Sequence, residues 1–498
     1  MTCTWAAPPR PHRVPIGGDR QAPDRPAIPA YAVSGRTLPL SDPPPPTSFP
    51  LPPPSTPRRR LARGPRKAGF PCRPGTFSPL VPLWSGAPRR PRRADPSIHE
   101  RRKKKRKEDP TMKEITIIGA GIAGLVAAIH IAEEGGPALL LEAGSRPGGR
   151  ARTDEGPYHA NLGPHALYHG SFSDWLQQKG LCPPIRPPRK SAFKIVRDDR
   201  VRLLPLALLA MLRTLKREAP IDLDYRTWAR RHMSARGVEA AIGFASLPTF
   251  HGDPGALSAA FVHERLQRSF TNPSVSYPTG GFGAIIRRLE EHARALGVRI
   301  ETGEKCSRLP DGPVIVATDL RTARRLLRDD TIDWPAPRTA MFDLALRTKK
   351  RDRTAVLDVD RGVYLSDYSA YDETLAPEGE HLYQCCAGLR EGEELISGLD
   401  RIRSVLDIAI PDWRKRVTWK RQGLSEGAGA ADPPGTSWRD RPRVDRGDDH
   451  WLAGDRTSAP GLLSEVAFES ARRAAQAAVD AAKGKGLVAV PGSGQAVA

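Results

Sequence analysis

Residues 115–142 restrict the fold of this 498-residue chain more than any other stretch. Ile115-Thr116-Ile117-Ile118 is a β-branched run of the kind that forms a strand buried on both faces. It runs directly into Gly119-Ala120-Gly121-Ile122-Ala123-Gly124, and residues 125–134 continue as an Ala-rich helix closed by Gly135-Gly136. Leu139-Leu140-Leu141 reads as a second strand and ends in Glu142. Strand, glycine loop, helix and strand in this order predict a βαβ unit built around a dinucleotide. Gly119 permits the tight turn, Gly121 lets the backbone approach a pyrophosphate, and Gly124 permits close helix–strand packing. Ala120, Ile122 and Ala123 complete the loop whose N–H groups, at a helix N-terminus, attract phosphate. Glu142 is placed to accept hydrogen bonds from ribose hydroxyls.

NAD and FAD share this arrangement, and a nicotinamide-dependent dehydrogenase explains residues 115–142 alone. The next residues favour FAD. Glu142-Ala143-Gly144-Ser145-Arg146-Pro147-Gly148-Gly149-Arg150-Ala151-Arg152-Thr153 resembles the E-A-x-x-x-x-G-G-R-x-x-[ST] continuation of the flavoprotein superfamily containing phytoene desaturases, protoporphyrinogen oxidases and amine oxidases. The resemblance implies that Ala143, Gly149 and Arg150 lie along FAD, with Arg150 as a planar phosphate donor. Near the other end, Trp451-Leu452-Ala453-Gly454-Asp455 resembles the strand and Gly-Asp pair that close the site in that superfamily. Gly454 and Asp455 are then expected at the ribityl or phosphate part of FAD. A helix beginning around residues 460–463 would bring Leu462 and Leu463 to the pyrimidine end of the flavin and stabilise negative charge there. Gly163-Pro164-His165 falls where relatives approach the flavin ring. His165 is therefore the candidate catalytic residue, to orient substrate or shuttle a proton, with a hydrogen-bonded structural histidine as the alternative reading. Cys306 falls where relatives set a small residue against adenine. His165 and His169 have no third ligand at suitable spacing, so no metal is expected.

Between the two half-sites, residues 172–275 read as an inserted, mostly helical region. Within it, residues 203–212 form either a core helix or an apolar lip facing a membrane surface. Tyr277-Pro278-Thr279-Gly280-Gly281-Phe282-Gly283 heads a helix with Phe282, Ile285, Ile286, Leu289, Ala293 and Leu296 on one face. Strand-like runs cover residues 340–346, 355–359, 362–365 and 381–385. The expected class is α/β: a Rossmann-type FAD-binding domain from residues 112–171, 276–334 and 440–485, with an inserted α+β substrate domain from 172–275 and 335–439. Residues 486–498 are expected as a tail. The resemblance implies oxidation or desaturation of an apolar, isoprenoid-like or cyclic small molecule by hydride transfer to non-covalently held FAD. A flavin amine oxidase is the alternative. The helix after Gly461 lacks the Gly-Tyr of the amine oxidases, and no cysteine adjoins Gly454-Asp455 to anchor FAD. A second nicotinamide site would bring its own glycine-rich βαβ unit. Gly280-Gly281-Phe282-Gly283 lacks the spacing, so oxygen or a quinone is the expected electron acceptor.

Charge concentrates at one end. Residues 1–111 hold 23 Lys and Arg against 7 Asp and Glu, and 26 of the 51 prolines. Such a segment buries too little apolar surface to offset the entropy of ordering. It reads as a basic tail for nucleic acid or an anionic membrane, as an N-terminal targeting peptide, or as translated upstream DNA ahead of a working start at Met112, the first Met after Met1. The last reading is favoured, and nucleic acid is not an expected partner. Cysteines 3, 72, 182, 306, 385 and 386 form no C-x-x-C, which argues against a zinc ribbon or a thioredoxin-like motif. No apolar run approaches the roughly 20 residues of a spanning helix. A cytoplasmic protein is expected, with peripheral membrane contact through the apolar lip as an option.

Overall fold

The computed structural model describes residues 112–188, 192–202, 206–271 and 274–484. The expectations for residues 1–111 and 486–498, and for the start of the apolar run at 203–205, lie outside the described residues.

β1 (Ile115–Ile118) runs into α1 (Ile122–Glu133) and β2 (Ala138–Glu142). Then come β3 (Leu167–Tyr168), α2 (Ser171–Gln178), β4 (Ile185–Arg186), β5 (Phe193–Arg197) and β6 (Arg200–Arg202). Four helices follow: α3 (Ala207–Thr214), α4 (Tyr225–Arg230), α5 (Ala235–Thr249) and α6 (Ala259–Ser269). β7 (Val275–Pro278) leads to α7 (Gly281–Ala295), β8 (Arg299–Thr302), β9 (Val314–Val316) and α8 (Leu320–Leu327). The remainder forms β10 (Arg338–Arg347), β11 (Ala355–Asp358), β12 (Val363–Asp367), β13 (Glu380–Gly388) and α9 (Leu395–Ala409). It ends with β14 (Val417–Glu426), β15 (His450–Leu452) and α10 (Ser464–Ala482).

β15-β9-β1-β2-β8 is an all-parallel sheet, the outcome that a β-branched strand followed by a helical crossover requires. Ile115 and Ile117 are fully buried, and α1, α7 and α10 contribute Leu125, Ile129, Ile285, Leu289 and Phe468 to the same core. Alanines 471, 474, 475 and 478 let α10 lie close against α1. The second sheet, β14-β10-β13-β12-β11-β5-β6, is antiparallel except for the β5–β11 pair. The helices α3 to α6 pack on it around Leu208, Met211, Trp228 and Phe244. A small sheet, β3-β7-β4, joins the segments.

Residues 172–275 are mostly helical as expected, with β5 and β6 extending the second sheet. Three particulars depart from the sequence reading. Phe172, Trp175, Leu176 and Leu181, at the start of that region, belong to the core of the parallel sheet. β14 carries mixed polar and apolar residues because it is an edge strand with one open side. Leu296 lies beyond the last turn of α7 and is 37% exposed, although it is in phase with the buried face.

Candidate active site

A cavity of about 980 Å³ opens between the parallel sheet and the second sheet, at the upper end of ligand-pocket sizes. Gly119, Gly121, Ile122, Ala123, Glu142, Ala143, Gly149, Arg150, Gly163, Pro164, His165, Cys306, Gly454, Asp455 and Leu463 all border it. Three further residues of these motifs do not border it. Ala120 is buried behind the loop and donates its N–H to Glu142 Oε2 at 2.8 Å. Gly124 sits at the helix–turn contact, where an added Cβ would lie 1.8 Å from the Gly119 carbonyl oxygen. Leu462 is fully buried, and its N–H donates to Glu465 Oε2 at 3.0 Å.

The local chemistry suits a dinucleotide. α1 starts after Gly121 without a side-chain cap, which leaves backbone N–H groups of its first turn for an anion. A Cβ on Gly121 would meet nothing within 4 Å, because that backbone faces the cavity. Glu142 is held in place by two backbone donors, Ala120 N–H to Oε2 and Gly144 N–H to Oε1 at 2.7 Å. A carboxylate has lone pairs to spare beyond these two for ribose hydroxyls.

Arg150 and Asp455, 305 residues apart, form an ion pair at 2.8 Å. Arg150 Nη1 also donates to the Gly427 carbonyl at 2.6 Å, and Asp455 Oδ2 accepts the Gly429 N–H at 2.8 Å. The Asp455 charge raises the Arg150 pKa above its ordinary value. Burial pushes Asp455 up, but the Arg150 guanidinium and the Gly429 N–H outweigh it and hold the carboxyl below the usual range. Arg150 keeps 48% of its side chain accessible beside the cavity, so it can serve both Asp455 and an anionic ligand. The Gly427-Ala428-Gly429 loop escaped the sequence reading, because nothing local announces that it follows β14 into the site.

Gly163, Pro164 and His165 are set by a buried polar network. Asn161, 2% exposed, accepts the Thr153 hydroxyl at 2.8 Å and the Phe282 N–H at 3.0 Å through Oδ1, and donates through Nδ2 to Gln384. Its carbonyl accepts from Gln384 and from Arg421, which also pairs with Asp154 and Asp343. Burial raises the Asp343 carboxyl to about 6 despite Arg421. Four residues beyond Asn161, His165 Nδ1 donates to the Gly163 carbonyl at 2.9 Å, leaving Nε2 as an acceptor. Burial lowers the His165 pKa, so the ring is neutral at pH 7.

The same network accounts for the glycine-rich start of α7. Gly280 N–H donates to Asp372, Phe282 N–H to Asn161 and Gly283 N–H to Thr153. A Cβ on Gly281 would lie 2.8 Å from Asn161 Oδ1, and one on Gly283 would lie 2.9 Å from Thr153 Cβ. These glycines admit neighbouring side chains, and three N–H groups that a phosphate would need are already used.

The rest of the cavity is apolar. Phe193, Leu208, Met211, Phe244, Phe270, Met341, Tyr364 and Cys386 border it, with Tyr277 stacked on Tyr371 at 4.2 Å between centroids. Among the described residues 168–275 and 339–386 that border the cavity, none is a lysine, arginine or carboxylate. These side chains come from β5, α3, α5, β7, β10, β12, β13 and the connections after α6 and β12, so no local pattern marks them in the sequence. Cys385 and Cys386 point to opposite faces of β13, and burial raises both thiols, that of Cys386 to about 12.

Comparison with known proteins agrees with this geometry. Residues 117–178 match the family model of an NAD(P)-binding Rossmann-like domain. L-amino acid oxidase Lm29 of Lachesis muta is 42% identical over 97 residues, 18% of this chain and 19% of that protein. The chain thus matches about a fifth of the length of such curated relatives. The fold extends much further. Cyclohexylamine oxidase from Brevibacterium oxydans superposes with a TM-score of 0.59 at 17% identity, over 74% of this chain and 99% of that one. An oxidoreductase from Methanosarcina mazei gives 0.61 at 17% identity, over 72% and 99%. The sequence likeness thus marks a Rossmann-like dinucleotide-binding segment, and the structural likeness shows the fold of the chain.

Proposed function

We propose that this chain is an FAD-dependent oxidoreductase acting on an apolar small molecule. The observation that carries this reading is the single cavity in which the glycine loop, Glu142 and the Arg150–Asp455 pair adjoin an uncharged apolar chamber. FAD, when bound, supplies the redox chemistry by accepting a hydride or its equivalent. The α1 N-terminus and Arg150 would hold its phosphates, Glu142 a ribose, and the start of α10 its flavin end. Cysteines 306 and 386 border the cavity, and neither adjoins Gly454-Asp455, which supports non-covalent attachment. His165, neutral and fixed through Nδ1, offers Nε2 to orient substrate or take a proton. The aromatic chamber excludes water around the transfer.

The chamber also supports a choice among substrates. An α-amino acid needs a cation for its carboxylate, and the described lining of the chamber provides none. An apolar amine fits as a second reading, favoured by the near-complete superposition on cyclohexylamine oxidase. Reduced flavin is proposed to pass its electrons to oxygen or a quinone, consistent with the occupied N–H groups of α7.

Membrane contact through α3 belongs to the same proposal. Leu206 and Leu209 are 82% and 36% exposed, Arg200, Arg202, Arg213, Lys216 and Arg217 are exposed nearby in the chain, and Leu208 and Met211 border the chamber. No described helix is long and apolar enough to cross a membrane.

One set of measurements tests these points. The purified chain is expected to absorb near 450 nm, to release FAD on acid precipitation, and to bleach anaerobically with polyprenes or apolar amines. L-amino acids and NAD(P)H should reduce it at least tenfold more slowly. Anionic vesicles should co-sediment it, and Leu206→Asp with Leu209→Asp should release it. Bleaching by NADPH at the turnover rate, or by amino acids alone, would reject the reading.

A further inference from the structure

Arg268, near the end of α6, and Glu465, in the first turn of α10, form an ion pair at 2.7 Å with side chains 27% and 4% exposed. Glu465 Oε1 accepts the Ser171 N–H at 3.1 Å, Oε2 accepts the Leu462 N–H at 3.0 Å, and Arg268 Nη2 also donates to the His169 carbonyl at 3.0 Å. Two glycines make room for the pair. A Cβ on Gly170 would lie 1.7 Å from Glu465 Oε1, and one on Gly461 would lie 2.7 Å from Glu465 Cβ. Leu463 and Ser464, the residues before Glu465, border the cavity, and Leu463 is held at φ +50°, uncommon for a branched side chain. On the other side of the pair, Ser269 and Phe270 border the apolar chamber.

We infer that Arg268 is a positioning residue that balances the Glu465 charge at the flavin end of the cavity, an inference resting on the proposed FAD site. A carboxylate in the first turn offsets the positive end of α10. Left unbalanced and buried, it opposes the negative charge that reduction adds to a flavin beside Leu463 and Ser464. Arg268 cancels that charge from the substrate-side helix. Through His169 and Glu465 it also fixes the 461–464 turn, so the chamber and the redox end of the cavity share one guanidinium.

The flavin midpoint potential of the full chain, titrated with reference dyes, is the test. Arg268→Met is expected to be more negative than wild type, Glu465→Gln more positive, and Arg268→Lys close to wild type. A tenfold change in the ratio of reduced to oxidised flavin corresponds to about 30 mV for a two-electron couple. Loss of a merely structural contact gives no reason for shifts of opposite sign. Glu465→Gln keeps the side-chain shape and decides the matter even where Arg268→Met fails to retain FAD: an unmoved potential in it overturns the inference. A wild-type chain that binds no FAD refutes the proposed function instead.

Discussion

Gly124→Ala is expected to abolish FAD retention and to destabilise the chain by about 3 kcal/mol, the upper end of overpacking costs. The new methyl would sit 1.8 Å from the Gly119 carbonyl oxygen and 3.3 Å from Leu140 Cδ1. Neither backbone has room to yield. Gly119, at φ +102°, donates its N–H to the Leu141 carbonyl at 2.7 Å, which ties the turn to β2. α1 is clamped on its other side by α10 and α7. Gly121→Ala is the informative companion, because its Cβ would meet nothing within 4 Å. It should keep the melting temperature of the apoprotein and lose FAD affinity, since the methyl enters the space a pyrophosphate needs. Thermal unfolding with and without FAD separates the two, and a wild-type melting temperature for Gly124→Ala would remove the packing argument.

Arg150→Met is expected to weaken FAD binding at least tenfold and to cost about 2 kcal/mol of apoprotein stability. That figure is set below the cost of breaking a fully buried pair because Arg150 is half accessible and water screens it. The pair also leaves a pH signature whose sign follows from Asp455. Its folded pKa is depressed, so its stabilisation is complete above the unfolded carboxyl value, about 4, and is lost as pH falls through the lower folded value. The melting-temperature difference between wild type and Asp455→Asn should therefore be widest above pH 4 and close below it. A difference that stays constant through that window would mean that Asp455 carries no charge in the pair.

The chain's local order determined a great deal. A β-branched run, three glycines, a helix and a terminal acid must give β1, α1 and β2, because each step is enforced by contacts within about 30 residues. The Gly149-Arg150 and Gly454-Asp455 half-sites were legible only through their resemblance to the flavoprotein superfamily, and both border the cavity. Their pairing was not: the Arg150–Asp455 bond spans 305 positions, the Gly427–Gly429 loop that completes it lies 277 positions from Arg150 and 26 from Asp455, and the Arg268–Glu465 pair spans 197. The same holds for Ala120 and Leu462, which belong to the motifs but face into packing, a distinction of side that spacing alone does not carry, whereas the packing role read for Gly124 is the one the structure shows. The chamber was the least legible part. Phe193, Phe244, Met341 and Tyr364 are ordinary apolar residues along the chain, and only the closure of a seven-stranded sheet against four helices turns them into one uncharged surface. Hydrogen-bonded turns are decided locally. Ion pairs and cavities depend on which distant surfaces the burial of apolar area brings together.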